Sequence, residues 1–170
     1  LQVLDLGGCN FDLPNHTESL QDLFENCAHL TELNVCLSDF LDPHIQALID
    51  NLTPTILKVN LGGQENLQDE HVKKLVKRCN KITHLGFNST KITNNSVHSI
   101  IEQLKASLEK LDVSHADLDF ANLLQLKSMP ALKTVFFDSI KDDHAEDIEN
   151  LKQQFRPIII DEDILNYVAS

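Results

Sequence analysis

The residues LQVLDLGGCN open the chain, and ILKVNLGGQE returns from Ile56. Paired glycines after an apolar run can cradle a phosphate, because backbone N–H groups approach an anion closely only where no Cβ intervenes. Such a loop has the form G-x-x-x-x-G-K-[S/T] before a helix. Neither Gly7-Gly8 nor Gly62-Gly63 is followed by Lys-Ser or Lys-Thr, so phosphate chemistry is not expected. The eight histidines are scattered singly, without H-E-x-x-H, and no metal site is expected. Ser114 and His115 are sequence neighbours that point in different directions, and G-x-S-x-G does not occur. Cys9, Cys27, Cys36 and Cys79 form no C-x-x-C and sit in apolar patterns, which predicts small buried hydrophobes in a reducing compartment. The sequence therefore predicts no catalytic residue, no metal, no cofactor and no enzyme activity.

Composition narrows the partners. The net charge is −12 over 170 residues, which disfavours nucleic acid and anionic membranes, since both call for a basic surface. No apolar run approaches the ~18 residues of a membrane span. N-x-S/T triplets at Asn15, Asn51, Asn88 and Asn94 are read as chance in an Asn-rich chain. No targeting segment is read, and Leu1 falls inside a periodic apolar pattern. The chain is expected to be a fragment of a cytoplasmic or nuclear protein.

What could position any functional side chain is a repeat. L-x-x-L-x-L fits at Leu1-Leu4-Leu6, Leu30-Leu33-Val35, Ile56-Val59-Leu61, Ile82-Leu85-Phe87, Leu108-Leu111-Val113 and Leu132-Val135-Phe137. The starts near 1, 30, 56, 82, 108 and 132 are spaced by 29, 26, 26, 26 and 24 residues. Phe155-Ile158-Ile160 reads as a degenerate seventh. After each match comes a helical face: Leu20, Leu23, Phe24, Cys27; Ile45, Leu48, Ile49, Leu52; Val72, Leu75, Val76, Cys79; Val97, Ile100, Ile101, Leu104. That i, i+3, i+4, i+7 spacing is one apolar stripe. A short fifth helix is expected near Phe120 to Ser128 and a sixth near His144 to Gln154. Asp42 (before Pro43), Asp69 and Thr93 are expected to cap the second, third and fourth helices.

A strand, a turn and a helix in about 26 residues make consecutive strands parallel, and stacking makes the core. The expected fold is an α/β leucine-rich-repeat solenoid of six to seven repeats. Its parallel sheet lines the concave face and its helices the convex face. The solenoid is expected over 1–154, with a degenerate repeat or cap and an acidic tail over 155–170. The glycine pairs then mark the turn after the strand, at repeat positions seven and eight.

Strand alternation turns Val3, Asp5 and Gly7 onto the concave face. The same register predicts a partner-binding surface from Glu32, Asn34, Lys58, Asn60, His84, Asn88, Lys110, Asp112, Ser114, Phe136 and Asp138, with Cys36, Gly62, Gly86 and Thr134 among them. Phe136, as a large exposed apolar side chain, is a candidate anchor unless the C-terminal tail folds over it. Lys58 is expected beside both Glu32 and His84 as cross-strand neighbours. Between Asp138 and Asp163 stand nine acidic and three basic residues, an end able to steer a basic partner. Lys73, Lys74, Lys77 and Arg78 fall on the convex side and are expected to pair with a neighbouring acidic helix. A solenoid cut at Leu1 would expose its first flank, so weakened order over 1–29, or self-association there, is expected.

The unit that begins L-x-x-L-x-L-G-G-C and ends L-V-K-R-C-N-K-I resembles the cysteine-containing leucine-rich repeats of F-box/leucine-rich-repeat proteins. TPTILKVNLGGQENLQDEHVKKLVKRCNKITHLGF and MPALKTVFFDSIKDDHAEDIENLKQQF are similar to the S-phase kinase-associated F-box proteins. The likeness spans about Leu1 to Phe155. Cysteine takes repeat position nine only at Cys9; the other units have Ser38, Gln64, Thr90, Ala116 and Ile140. The resemblance implies the substrate-recognition repeats of a cullin-RING ubiquitin ligase, whose subunits would dock on an upstream F-box, with a protein partner on the concave face or C-terminal end. A non-ligase scaffold, or a regulatory domain of a larger protein, remains open from the residues alone.

Overall fold

The computed structural model describes residues 1–11, 16–137, 153 and 159–161. Its strands are β1 (Val3–Asp5), β2 (Glu32–Asn34), β3 (Lys58–Asn60), β4 (His84–Gly86), β5 (Lys110–Asp112), β6 (Thr134–Phe136) and β7 (Ile159–Asp161). They form one sheet in sequence order, and every neighbouring pair is parallel. Between them run α1 (His16–Glu25), α2 (Asp42–Asn51), α3 (Asp69–Arg78), α4 (Asn94–Leu104) and α5 (Phe120–Gln125), the last extended by a 3₁₀ turn over Leu126–Ser128. The sixth helix expected at His144 to Gln154 lies outside the described residues, apart from Gln153, which is helical.

The fold follows from three apolar layers. Leu30, Ile56, Ile82, Leu108 and Leu132 fill the first layer. Leu33, Val59, Leu85, Leu111 and Val135 fill the second, and Val35, Leu61, Phe87, Val113 and Phe137 the third; all are buried. Against them pack the helix faces, from Leu20 and Phe24 through Ile45 and Leu48, Val72 and Leu75, to Val97 and Ile100. At roughly 1.5–3 kcal/mol per buried aliphatic or aromatic side chain, stacking supplies what a lone unit lacks. The first unit is the exception. Leu1 is 66% exposed, and Leu4 and Leu6 are half-buried.

The seventh repeat stands two residues away from its expected register. Ile160 pairs with Val135, in the column of Leu4 and Leu33, and so takes the place of the second leucine, not the third. The run Pro157-Ile158-Ile159-Ile160 is continuously apolar and gives periodicity nothing to phase on.

The helix starts also differ from expectation. Thr93 caps α4, its hydroxyl accepting the Asn95 N–H at 3.3 Å. Leu41 and Gln68 hold the cap positions of α2 and α3, however, so Asp42 and Asp69 are already helical. The part-buried amides of Leu41 and Gln68 donate to Nδ1 of His44 and His71, each at 3.2 Å. Histidine here does what Glu does in a capping box, reaching back from the third helical position. The carboxylates are used between repeats instead. Asp42 meets His71 Nε2 at 3.3 Å. Asp69 accepts from the Thr93 N–H and hydroxyl at 2.8 and 2.6 Å and from the Ser96 hydroxyl at 2.5 Å. Asn94 continues the ladder to Asp119 at 2.9 Å. Burial opposes ionisation of Asp69, but the bonds from Ser96, Thr93 and Asn95 together hold its carboxyl below the usual range.

The turn after each of β1 to β5 passes through left-handed backbone at repeat position eight. Gly8 and Gly63 have φ of 71° and 70°, and Leu37, Ser89 and His115 have φ of 56°, 54° and 56°. Glycine is the unstrained choice there, which explains why the pair recurs without being obligatory.

Candidate partner-binding groove

The strands are in phase, so equivalent residues form rows across the concave face. Val3, Glu32, Lys58, His84, Lys110 and Thr134 make one row. Asp5, Asn34, Asn60, Gly86, Asp112 and Phe136 make the next. Over β1 to β5 they border a groove of about 520 Å³, lined also by Cys36, Leu37 and the Gly7-Gly8 turn.

The first row carries the charge. Lys58 meets Glu32 at 3.0 Å, and His84 lies between Lys58 and Lys110 on adjacent strands. Burial, then the two lysines, pushes the His84 imidazole below its ordinary range. The Lys110 ammonium stands 5.4 Å from the centre of the Phe136 ring, a cation–π contact.

The second row is largely structural. Asp5, Asn34, Asn60 and Asp112 each accept the N–H two residues on, from Gly7, Cys36, Gly62 and Ser114, at 2.8 to 3.0 Å. These Asx turns end each strand and aim the chain into the left-handed turn. Asn34 also donates to Asp5 at 3.0 Å. Two glycines make room for asparagines. A Cβ on Gly86 would lie 2.7 Å from the Asn60 amide oxygen, and one on Gly62 only 2.0 Å from that of Asn88. Asn88 thereby spans its neighbour strand and hydrogen-bonds the Cys36 thiol, whose pKa burial and the Asp112 charge raise.

Several expected surface residues are not on the surface. Phe136 is only 6% exposed; with Lys110 over its ring and β7 paired alongside, it is no open anchor. Asp112 and Ser114 are buried; Asp112 pairs across the sheet with the buried Phe136. Asp138 lies outside the described residues. Glu32, Asn34, Lys58, Asn60, His84 and Lys110 line the groove as the register requires. The apolar element missed by strand alternation is at the other end: Leu37 is 63% exposed, and Val3, which alternation turns onto this face, is 56% exposed. The hydrophobic residue at a repeat position where other units hold Gly8, Gly63, Ser89 and His115 was the available signal.

The cysteines divide. Cys27 and Cys79 are buried as expected, but Cys9 is exposed and Cys36 half-buried, because both fall on the turn rather than in the core. On the convex side, among the described residues, the lysines and Arg78 of α3 form no ion pair with a neighbouring helix. Lys73 meets Glu70 of its own helix at 3.7 Å, Lys74 donates to Gln46 at 2.7 Å, and Arg78 donates to the Leu52 carbonyl at 2.9 Å.

The family described as the SKP2 LRR domain matches this sequence over residues 1–170. The chain belongs to that family. Among solved structures it is similar to leiomodin-1 actin-binding site 2, with a TM-score of 0.61 and 17% identity over 85% of this chain and 90% of that one. At that identity the likeness shows the shared fold.

In this member of the SKP2 LRR-domain family, repeat position nine of the second, third and fourth units holds a buried polar side chain in place of cysteine. Ser38 donates to the Leu6 carbonyl at 2.7 Å, and Thr90 to the Phe87 carbonyl at 2.7 Å. Gln64 bonds the Val35 carbonyl through its amide nitrogen and accepts the Phe40 N–H at 2.9 Å through its oxygen. Ser38 and Gln64 each tie one repeat to the one before it, under the floor of the groove.

Proposed function

We propose that this SKP2-type domain is the substrate-recognition surface of an F-box-type cullin-RING ubiquitin ligase, acting in the cytoplasm or nucleus as a binding module. Family membership over the whole sequence supports the ligase setting. The groove supports the location: a row of polar and charged side chains, Glu32, Lys58, His84 and Lys110, crosses four adjacent strands of the sheet, and preorganised side chains bind at low ordering cost. That row is the observation that carries the proposal.

The test is purification of the full-length protein from its native cells, wild type beside Lys58→Glu/Lys110→Glu, with mass spectrometry of bound proteins. A cullin and its F-box adaptor should appear in both samples, and other partners should disappear from the variant. A stable complex without ligase subunits would overturn the ligase setting. Partners retained in full by the variant would overturn the groove.

A further inference from the structure

Thr53 stands in the turn between α2 and β3. It is half-buried, while Pro54 and Thr55 beside it are exposed. Of the five prolines, Pro54 alone follows a hydroxyl-bearing residue. Its fixed φ and missing N–H are what a proline-directed kinase reads on the residue after the acceptor. The Thr53 carbonyl is committed to the fold: it accepts the Ile56 N–H at 3.2 Å and faces the Cys79 thiol at 3.7 Å. The hydroxyl is not. It meets the Thr55 hydroxyl at 2.9 Å in an exposed pair, and the Thr55 N–H only at 3.5 Å. Esterifying it would leave no buried group without a partner.

The cations near this hydroxyl come from the next repeat. Arg78, the last residue of α3, donates its Nε–H to the Leu52 carbonyl at 2.9 Å, which holds the guanidinium one residue from Thr53. Lys81 precedes Ile82 as Thr55 precedes Ile56, so it takes the corresponding place in the following turn. Both side chains are exposed, and among the described residues neither meets a carboxylate. A guanidinium bonded through Nε still presents its Nη donors, in a fork that matches phosphate oxygens.

We propose that Thr53 is a phosphorylation site for a proline-directed kinase, and that the phosphate ties the second repeat to the third through Arg78. In the transfer, Thr53 Oγ1 bonds to the γ-phosphorus of ATP, and the bond from that phosphorus to the β–γ bridging oxygen breaks. ADP leaves with the electron pair, and the hydroxyl proton passes to the base of the kinase. The phosphate carries nearly two negative charges, which Arg78 meets directly and Lys81 supports. Thr53 and Arg78 do not line the groove, so the site stands independently of what the groove binds.

The test maps phosphate by mass spectrometry on two samples: the full-length protein treated with ATP and a purified proline-directed kinase, and the protein isolated from its native cells under phosphatase inhibition. Thr53 should carry phosphate, Thr53→Ser should still accept it, and Pro54→Ala should lose most of it in the kinase reaction. Absence of phosphate from Thr53 in both samples, or undiminished transfer to Pro54→Ala, would overturn the site. Phosphorylation should raise the melting temperature by about 2–4 °C in the wild type and leave Arg78→Gln unchanged, each compared with its own unmodified form. Phosphorus NMR should show the phosphate titrating at lower pH in the wild type than in Arg78→Gln. No rise in the wild type, or the same rise and the same titration in Arg78→Gln, would overturn the bridge.

Discussion

Asp42, in the first turn of α2, lies 3.3 Å from Nε2 of His71, in the first turn of α3. Nδ1 of the same ring accepts the Gln68 N–H at 3.2 Å. His71 thus binds two repeats together while keeping one nitrogen unprotonated. Burial lowers its pKa, Asp42 works against that, and Lys74 adds to the lowering; the net shift is downward from 6.5. A histidine with a lowered native pKa binds fewer protons folded than unfolded, so its contribution is complete above about 6.5 and is lost as pH falls below it. His84 shifts in the same direction, so the two must be separated. Thermal unfolding should show a lower Tm near pH 5.5 than near pH 7.5, and His71→Gln should shrink that difference. Gln still accepts the Gln68 N–H and does not titrate. An unchanged difference would remove His71 from the pH response.

Gln64 is fully buried and satisfies two main-chain groups, the Val35 carbonyl and the Phe40 N–H. Gln64→Leu preserves bulk but leaves both groups buried without partners. The expected cost is roughly 2–5 kcal/mol, read as a lower urea midpoint at unchanged slope. Gln46→Ala, which loses two exposed bonds, to Lys74 and Asp50, should cost less than about 0.5 kcal/mol.

Thiol reactivity should follow the turn and the core. Cys9 is exposed, while Cys79 is buried, its Sγ directed at the Thr53 carbonyl at 3.7 Å. Burial pushes the Cys79 pKa up to about 11, partly offset by Arg78, and a thiol is inert without its thiolate. Iodoacetamide at about pH 8, followed by mass spectrometry, should modify Cys9 first and Cys36 slowly. Cys27 and Cys79 should react only on unfolding. Alkylation of Cys79 at the rate of Cys9 in the folded chain would contradict the burial.

Most of the architecture was legible because a repeat reports itself six times. The leucines in phase with Leu33 gave strand positions, register and inward face, and the stripe of Val72, Leu75 and Val76 gave the helix. The legibility failed where one signal served two roles. An aspartate at a helix start reads as a cap, yet Asp42 and Asp69 reach the next repeat and histidines take over the backbone amides. Alternation put Asp112, Ser114 and Phe136 outward, but it is blind to what neighbouring strands pack against each position. In Pro157 to Ile160 an unbroken apolar run gave no phase. Leu37 was missed for a different reason: alternation along a strand says nothing of the turn that follows it, and only comparison with Gly8, Gly63, Ser89 and His115 at the same repeat position marks it.

The central claim is that the concave row meets the partner, and lysine footprinting tests it most directly. The complex isolated from native cells would be acetylated briefly beside the free protein, and each lysine quantified by mass spectrometry. Lys58 and Lys110 should be protected in the complex, while Lys73 and Lys77 of α3, on the opposite face, should react as they do in the free chain. Protection of Lys73 and Lys77 with Lys58 and Lys110 unchanged would place the partner on the convex helices and contradict the account.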